Sequence, residues 1–241
     1  IAYAVATACH AQFRFGLSAT PFDNPEDQLT VEAPFGPILA TITSEELVAI
    51  DALAKPTVEL YSYKPTEMEE SWEWHQVYRD GIVQNAARNE VLVRVVERYV
   101  NAKQKVLVLV AQVWHGGILS ALFKALKLKH DFVHAKIPSV KIEAAKEKFR
   151  DQANAYLLIA SPVFGEGVDI PAVNVLVVAD GGKSLKQVVQ KSGRGMRKKK
   201  TKEANVVTIV DFVDTGHLYL ARHTEQRIKI YEDEKFEVVA R

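Results

Sequence analysis

The sequence predicts an α/β protein built as three layers, with a mainly parallel central sheet covered by helices on both faces. Two observations predict it: apolar, β-branched runs recur along the chain, and amphipathic stretches of helical length separate them. Strands that are apolar throughout belong to sheets covered on both sides. In order, the expected strands are 58–63, 105–111, 131–135, 155–161, 173–180 and 205–212. The expected helices are a long one over 68–100, then 116–127, 139–151 and 184–192. Right-handed crossovers bring the strand C-terminal ends to one edge, where such sheets bind ligands. The loops after Ala111, Ala135, Ser161 and Asp180 are therefore expected to line a functional edge.

With 241 residues, 48% of them hydrophobic, the chain can bury one large core or two small ones. A net charge of +1 gives no overall basic balance, yet residues 181–202 hold nine Lys or Arg and no acid. Cys9 stands alone, which excludes an internal disulfide and a multi-cysteine metal site and fits a reducing, cytoplasmic setting. His10, His115, His130 and His134 lack metal-ligand spacing, and no apolar run approaches the ~18 residues of a membrane span. Trp72 and Trp74 lie among Glu67, Glu69, Glu70 and Glu73, so one is expected in the core and the other partly exposed, neither under a nucleic-acid base. Residues 20–47 hold four prolines and read as a linker or packing arm, with a helix start at Ser44. The opening "IAYAVATACHAQ" has neither an initiating Met nor a cationic flank, so it does not read as a secretory signal; it reads as a chain cut from something longer.

Gly181-Gly182-Lys183-Ser184 imitates the end of a phosphate-binding loop. The first glycine of that motif would fall at Val177, inside an apolar strand, so the stretch is expected to be a tight turn with Ser184 capping the next helix. In "PVFGEGVDIPAV" Gly165 and Gly167 allow close backbone approach and Asp169 offers a carboxylate to a ribose, although an ordinary turn has the same composition. "QKSGRGMR" places Gln190, Arg194 and Arg197 on one helix face. Two converging guanidinium forks suit a polyphosphate, and a solvated basic helix end is the alternative. The run 197–202 suits either a phosphate backbone or a solvated loop.

Taken together, these stretches resemble superfamily 2 helicases of the DExH-box type, in the branch of DNA-repair and phage helicases. "FRFGLSATPF" is similar to motif III, "KVLVLVAQVWHGGILSALF" to motif IV, "LLIASPVFGEGVDIPAV" to motif V and "QKSGRGMR" to motif VI, in the family's order and over nearly the whole chain. The resemblance implies a RecA-like fold of the P-loop NTPase type without its own P-loop. Residues 1–22 would be a remnant of the first motor domain, 23–55 the inter-domain segment and 56–241 the second motor domain.

The same resemblance implies roles. Arg194 and Arg197 would contact the γ-phosphate of ATP, with Gln190 beside them. Gly167 and Asp169 would meet the ribose side. Ser161, Gln112 and His115 would line a nucleic-acid track, DNA by the branch resembled, and Ser18 and Thr20 would couple that track to the cleft. Lys191 departs from the Arg of many relatives and keeps charge without the fork. ATP and Mg²⁺ would be held mainly by the first motor domain of the same parent. Without Walker A and DExH elements this fragment alone is expected to be inactive. A non-catalytic nucleic-acid-binding or regulatory module on a helicase fold remains the alternative.

Overall fold

The computed structural model describes residues 2–17, 25–43, 46, 49–50, 55–151, 156–161, 173–182 and 206–241. It divides into two compact units, residues 1–43 and 44–241. In the first, α1 (Ala2–Ala8) packs with α2 (Pro25–Phe35). The proline-rich stretch thus holds a helix, because Pro25 occupies its first position, where the ring's fixed φ is already helical. Gly36 at φ +82 ends it, its N–H bonded to the Glu32 carbonyl at 2.6 Å.

The second unit contains the sheet. Its strands are β1 (Lys55–Tyr61), β2 (Lys105–Leu109), β3 (His130–Val133), β4 (Tyr156–Ala160), β5 (Val175–Val178), β6 (Val206–Phe212) and β7 (Glu237–Ala240). They form one sheet in the order β3-β4-β2-β5-β6-β1-β7, and every pair is parallel. Five strands end earlier than the apolar runs suggest. The last residues of those runs have already left the ladder to build the edge.

The long helix expected over 68–100 is three pieces: α3 (Trp74–Tyr78), a π-helical turn (Arg79–Val83) and α4 (Ala86–Asn101). Asn85 separates the last two by taking an extended conformation and accepting the Arg88 N–H, which makes it an N-cap. The crossovers continue with α5 (Val113–Ala125), α6 (Ser139–Asp151) and α7 (Leu218–Asp233). Helix α7 and strand β7 were not expected. The helix expected over 184–192, its Ser184 cap and the helix start at Ser44 lie outside the described residues.

Alternation along each strand sends neighbours to opposite faces. Val106, Val108, Val175, Val177, Val210 and Phe212 meet Leu92 and Val96 of α4 and Leu119 and Phe123 of α5. On the other face Leu107, Leu158 and Leu176 meet Ile142 and Ala145 of α6, while Val58, Val178 and Ile209 meet Tyr231 of α7. Trp72 and Trp74 are both half-buried, packed on a cluster of Val77, Tyr78, Ile82, Val83 and Leu220, so neither is the core tryptophan expected. Among the described residues no helix is long and apolar enough to cross a membrane.

Candidate functional site

Three adjacent strands, β4, β2 and β5, deliver three successive loops to one edge of the sheet. Their ends stay in register past the last ladder residues: Val110 N donates to Ala160 O at 3.0 Å, Ala179 N to Leu109 O at 2.9 Å and Ser161 N to Val133 O at 3.1 Å. Ser161 is buried one residue past the end of β4. Gln112 is exposed at the N-cap position of α5, its side chain making no cap bond.

His115 does not reach this edge with its side chain. It is fully buried, its Nε2 lies 3.0 Å from Asn89 Oδ1, and Asn89 donates onward to Val83 O at 2.9 Å. Burial, with the neighbouring Arg88 charge, lowers its pKa to about 3, so the ring is neutral. The expectation that His115 lines a nucleic-acid track is therefore corrected: the position after Trp114 falls on the core-facing side of α5, one turn before Leu119. Ser18, Thr20, Gly167, Asp169, Gln190, Arg194 and Arg197 lie outside the described residues.

Next to these loops lies a buried polar network that the sequence reading missed. Asp214, just beyond β6, accepts from Arg88 Nε at 2.7 Å, from Arg227 Nη2 at 3.0 Å and from the Tyr63 hydroxyl at 3.0 Å. Arg227 Nε also donates to Asp211 at 2.8 Å, and Tyr231 Oη donates to the same carboxylate oxygen at 3.0 Å. Both guanidinium groups are fully buried, and Arg88 stacks over the Phe212 ring at 4.6 Å. Burial alone would raise the Asp214 pKa, but the charges of Arg88 and Arg227 outweigh it and hold the carboxyl below its ordinary value. Asp180, also buried, is pushed above its ordinary value by burial, with Arg227 opposing.

The network ends on the turn after β5. Arg88 Nη1 donates to Ala179 O at 2.9 Å, and Arg227 Nη1 donates to Gly181 O at 2.9 Å and Gly182 O at 3.4 Å. Gly181 has φ +59, and a Cβ there would lie 2.6 Å from Ile82 Cδ1 and 3.0 Å from Asp214 Oδ2. A phosphate cradle turns several backbone N–H groups outward toward the anion. This turn presses Gly181 inward and commits its carbonyls to buried arginines, so the part of the Gly-Gly-Lys-Ser stretch described is structural. The network carried a readable signal. Arg88 falls on the apolar stripe of α4 with Leu92 and Val96, and Arg227 falls on that of α7 with Leu220, Thr224 and Tyr231.

A groove of about 840 Å³ between α4 and α5 is lined by Val93, Ile118, Leu122 and Leu126. On its rim Arg94 pairs with Glu90 at 2.5 Å. Among the described residues no group of three His, Cys, Asp or Glu is arranged to hold a metal ion.

An all-parallel sheet covered on both faces, with its loops gathered at one edge, is a three-layer α/β domain whose ligand edge is the C-terminal one. Residues 87–199 match the family described as the helicase conserved C-terminal domain. The ATP-dependent DNA helicase UvsW of Enterobacteria phage T4 is 24% identical over 252 residues, which takes in 95% of this chain and 49% of that protein. The DNA 3'-5' translocase XPB2 of Sulfurisphaera tokodaii is 41% identical over 68 residues, 28% of this chain and 15% of that protein. The chain thus spans about half of one of these relatives and less of the other. The crystal structure of T4 UvsW superposes with a TM-score of 0.61 at 20% identity, covering 79% of this chain and 41% of that one. The C-terminal domain of the DEAD-box protein Dbp5 gives 0.53 at 16% identity, covering 79% and 92%.

Proposed function

We propose that this chain is the second motor half of an ATP-dependent superfamily 2 helicase or translocase acting on DNA. One observation carries the reading: the stretches similar to motifs IV and V run through the adjacent strands β2 and β4, whose C-terminal ends lie at the same edge as that of β5. Such adjacency lets one surface meet nucleotide and strand together. DNA is favoured over RNA because both curated relatives are named for DNA. Residues 1–22 then belong to the first motor half, 23–55 connect the two, and 56–241 form the second. The single cysteine supports a reducing, cytoplasmic or nucleoid setting.

In this reading ATP and Mg²⁺ are held by the P-loop and carboxylates of the first half. Arg194 and Arg197 donate forked, charge-assisted bonds to the γ-phosphate, where charge develops as the bond to the leaving group breaks. Gln190 orients beside them, and Gly167 with Asp169 meets the ribose. Gln112, exposed at the start of α5, contributes to the strand track, with Ser161 one residue past the end of β4. Ser18 and Thr20 couple cleft to track. Substituting Arg197→Ala in the parent protein tests this. Strand-stimulated kcat should fall at least ~10²-fold, a cautious figure beside the 10³–10⁵ of finger arginines, while strand affinity without ATP stays unchanged. Normal kcat with weakened, less salt-dependent strand binding would instead make the pair part of a basic gripping face.

A further inference from the structure

We infer that Arg88 and Arg227 are positioning residues that fix the turn 179–182, the last described part of the chain before Arg194 and Arg197, with Asp214 as the hub on which both depend. The inference rests on the function proposed above.

The two guanidinium groups arrive from opposite layers. Arg88 comes from α4, whose core partners are Val175, Val177 and Phe212, and Arg227 comes from α7, which packs with Val178 and Ile209. They meet on the two oxygens of one carboxylate, Asp214. Each then gives a further donor to the main chain of the turn 179–182, Arg88 to Ala179 O and Arg227 to Gly181 O and Gly182 O. Gln190, Arg194 and Arg197 lie eight to fifteen residues further along the chain.

Stability alone does not account for this arrangement. Apolar groups of similar volume often replace a buried ion network at no loss, so burying two guanidiniums and two carboxylates gives no particular thermodynamic advantage. What arginine adds is geometry, because a planar fork fixes the carbonyls it binds in direction as well as distance. Gly181 completes the clamp: its φ of +59 strains any L side chain, and a Cβ there would press on Ile82 Cδ1 at 2.6 Å and on Asp214 Oδ2 at 3.0 Å. The Tyr63 hydroxyl, two residues beyond β1, binds the same Asp214, which ties the chain leaving the inter-domain segment to the clamp. Catalytic arginines need such support, since a misplacement of ~1 Å can cost about 10²-fold in rate.

The test uses the parent chain containing both motor halves, with Arg197→Ala as benchmark. Arg227→Lys keeps the charge but cannot serve Asp211, Asp214 and the Gly181 carbonyl at once. Gly181→Ala removes no charged group; it strains the turn and crowds Ile82 and the Asp214 carboxylate. For both, with folding confirmed by thermal unfolding, strand-stimulated kcat should fall about 10- to 100-fold, while KM for ATP and strand affinity without ATP stay within about three-fold. If both variants fold and keep kcat within about two-fold while Arg197→Ala is crippled, the positioning role is refuted and the proposed function stands. A rise in KM at constant kcat refutes it equally. Normal kcat in Arg197→Ala overturns the proposed function and this inference with it. Should Arg227→Lys fail to fold, Gly181→Ala decides on the same thresholds.

Discussion

Glu59 should make the stability of this chain depend on acid in a way that a single amide substitution removes. Its carboxylate lies on β1, nearly buried, and accepts from Tyr61 Oη and Tyr99 Oη at 2.7 Å, from Arg98 Nη2 at 2.9 Å and from Arg241 Nη2 at 2.7 Å. Burial alone would raise its pKa. The hydrogen bonds from Tyr99, Tyr61, Arg241 and Arg98 outweigh that and lower it from 4.5 to about 2. A folded-state pKa below the unfolded one contributes stability that is fully present above the unfolded value and is lost as pH falls through the folded value. At ~1.36 kcal/mol per unit, the contribution is about 3 kcal/mol at pH 7 and about half that at pH 3. Glu59→Gln keeps the shape and does not titrate. Urea unfolding of both proteins at pH 7, 5, 4 and 3 should therefore show a stability gap that is constant between pH 7 and 5 and then narrows. Contributions from all other groups cancel in the difference. A gap that stays constant down to pH 3, or widens, refutes the reasoning.

Three further outcomes are expected. The chain alone should hydrolyse no ATP above background, and Lys183→Ala should leave that result unchanged; hydrolysis abolished by Lys183→Ala would restore the phosphate-loop reading. His115, neutral with a pKa lowered to about 3, cannot take the proton that the unfolded chain takes near 6.5, so its contribution to stability falls as pH drops from 6.5 toward 3. His115→Gln should flatten that slope and leave strand affinity in the parent within about two-fold, which calorimetry over pH and a binding titration would check. Gly116→Ala should cost about 1–3 kcal/mol in urea unfolding, because its Cβ would lie 2.3 Å from Phe132 Cζ, whereas Gly117→Ala, with nothing within 4 Å, should gain up to ~1 kcal/mol of helix propensity.

The parallel sheet is legible in sequence because its strands are buried on both faces, and runs such as 105–109 and 156–160 leave no polar alternation to confuse them with surface strands. Breaks are harder to see. Asn85 interrupts 68–100 by capping the next helix, and its effect depends on one side-chain bond to Arg88 N rather than on composition. Strand β7 is mostly exposed and mixes Glu237 with Val238 and Val239, so it lacks the apolar run that marks its neighbours. At the edge, Ser161 and Gln112 are found where the loops should begin, yet His115, three residues on, turns into the core. Only the helical phase separates Gln112 from His115. The clamp of Arg88, Asp211, Asp214 and Arg227 joins residues more than a hundred positions apart, and a charge on an apolar stripe announces a buried partner without naming it.

The strand order has a consequence for how this chain is made. Strand β1 comes first in the sequence and neighbours only β6 and β7, which come last, with Lys55 opposite Val206 and Thr57 opposite Glu237. At a synthesis rate of ~5–20 residues per second, β1 leaves the ribosome on the order of ten to thirty seconds before either partner exists. During that interval Val58 and Leu60 have no sheet to join. Strands β2, β3 and β4 can assemble meanwhile, and β5 can follow them. The nascent chain should therefore pass through a half-sheet with an open β5 edge and an unpaired β1, the stage at which chaperone capture or mispairing between neighbouring chains is favoured.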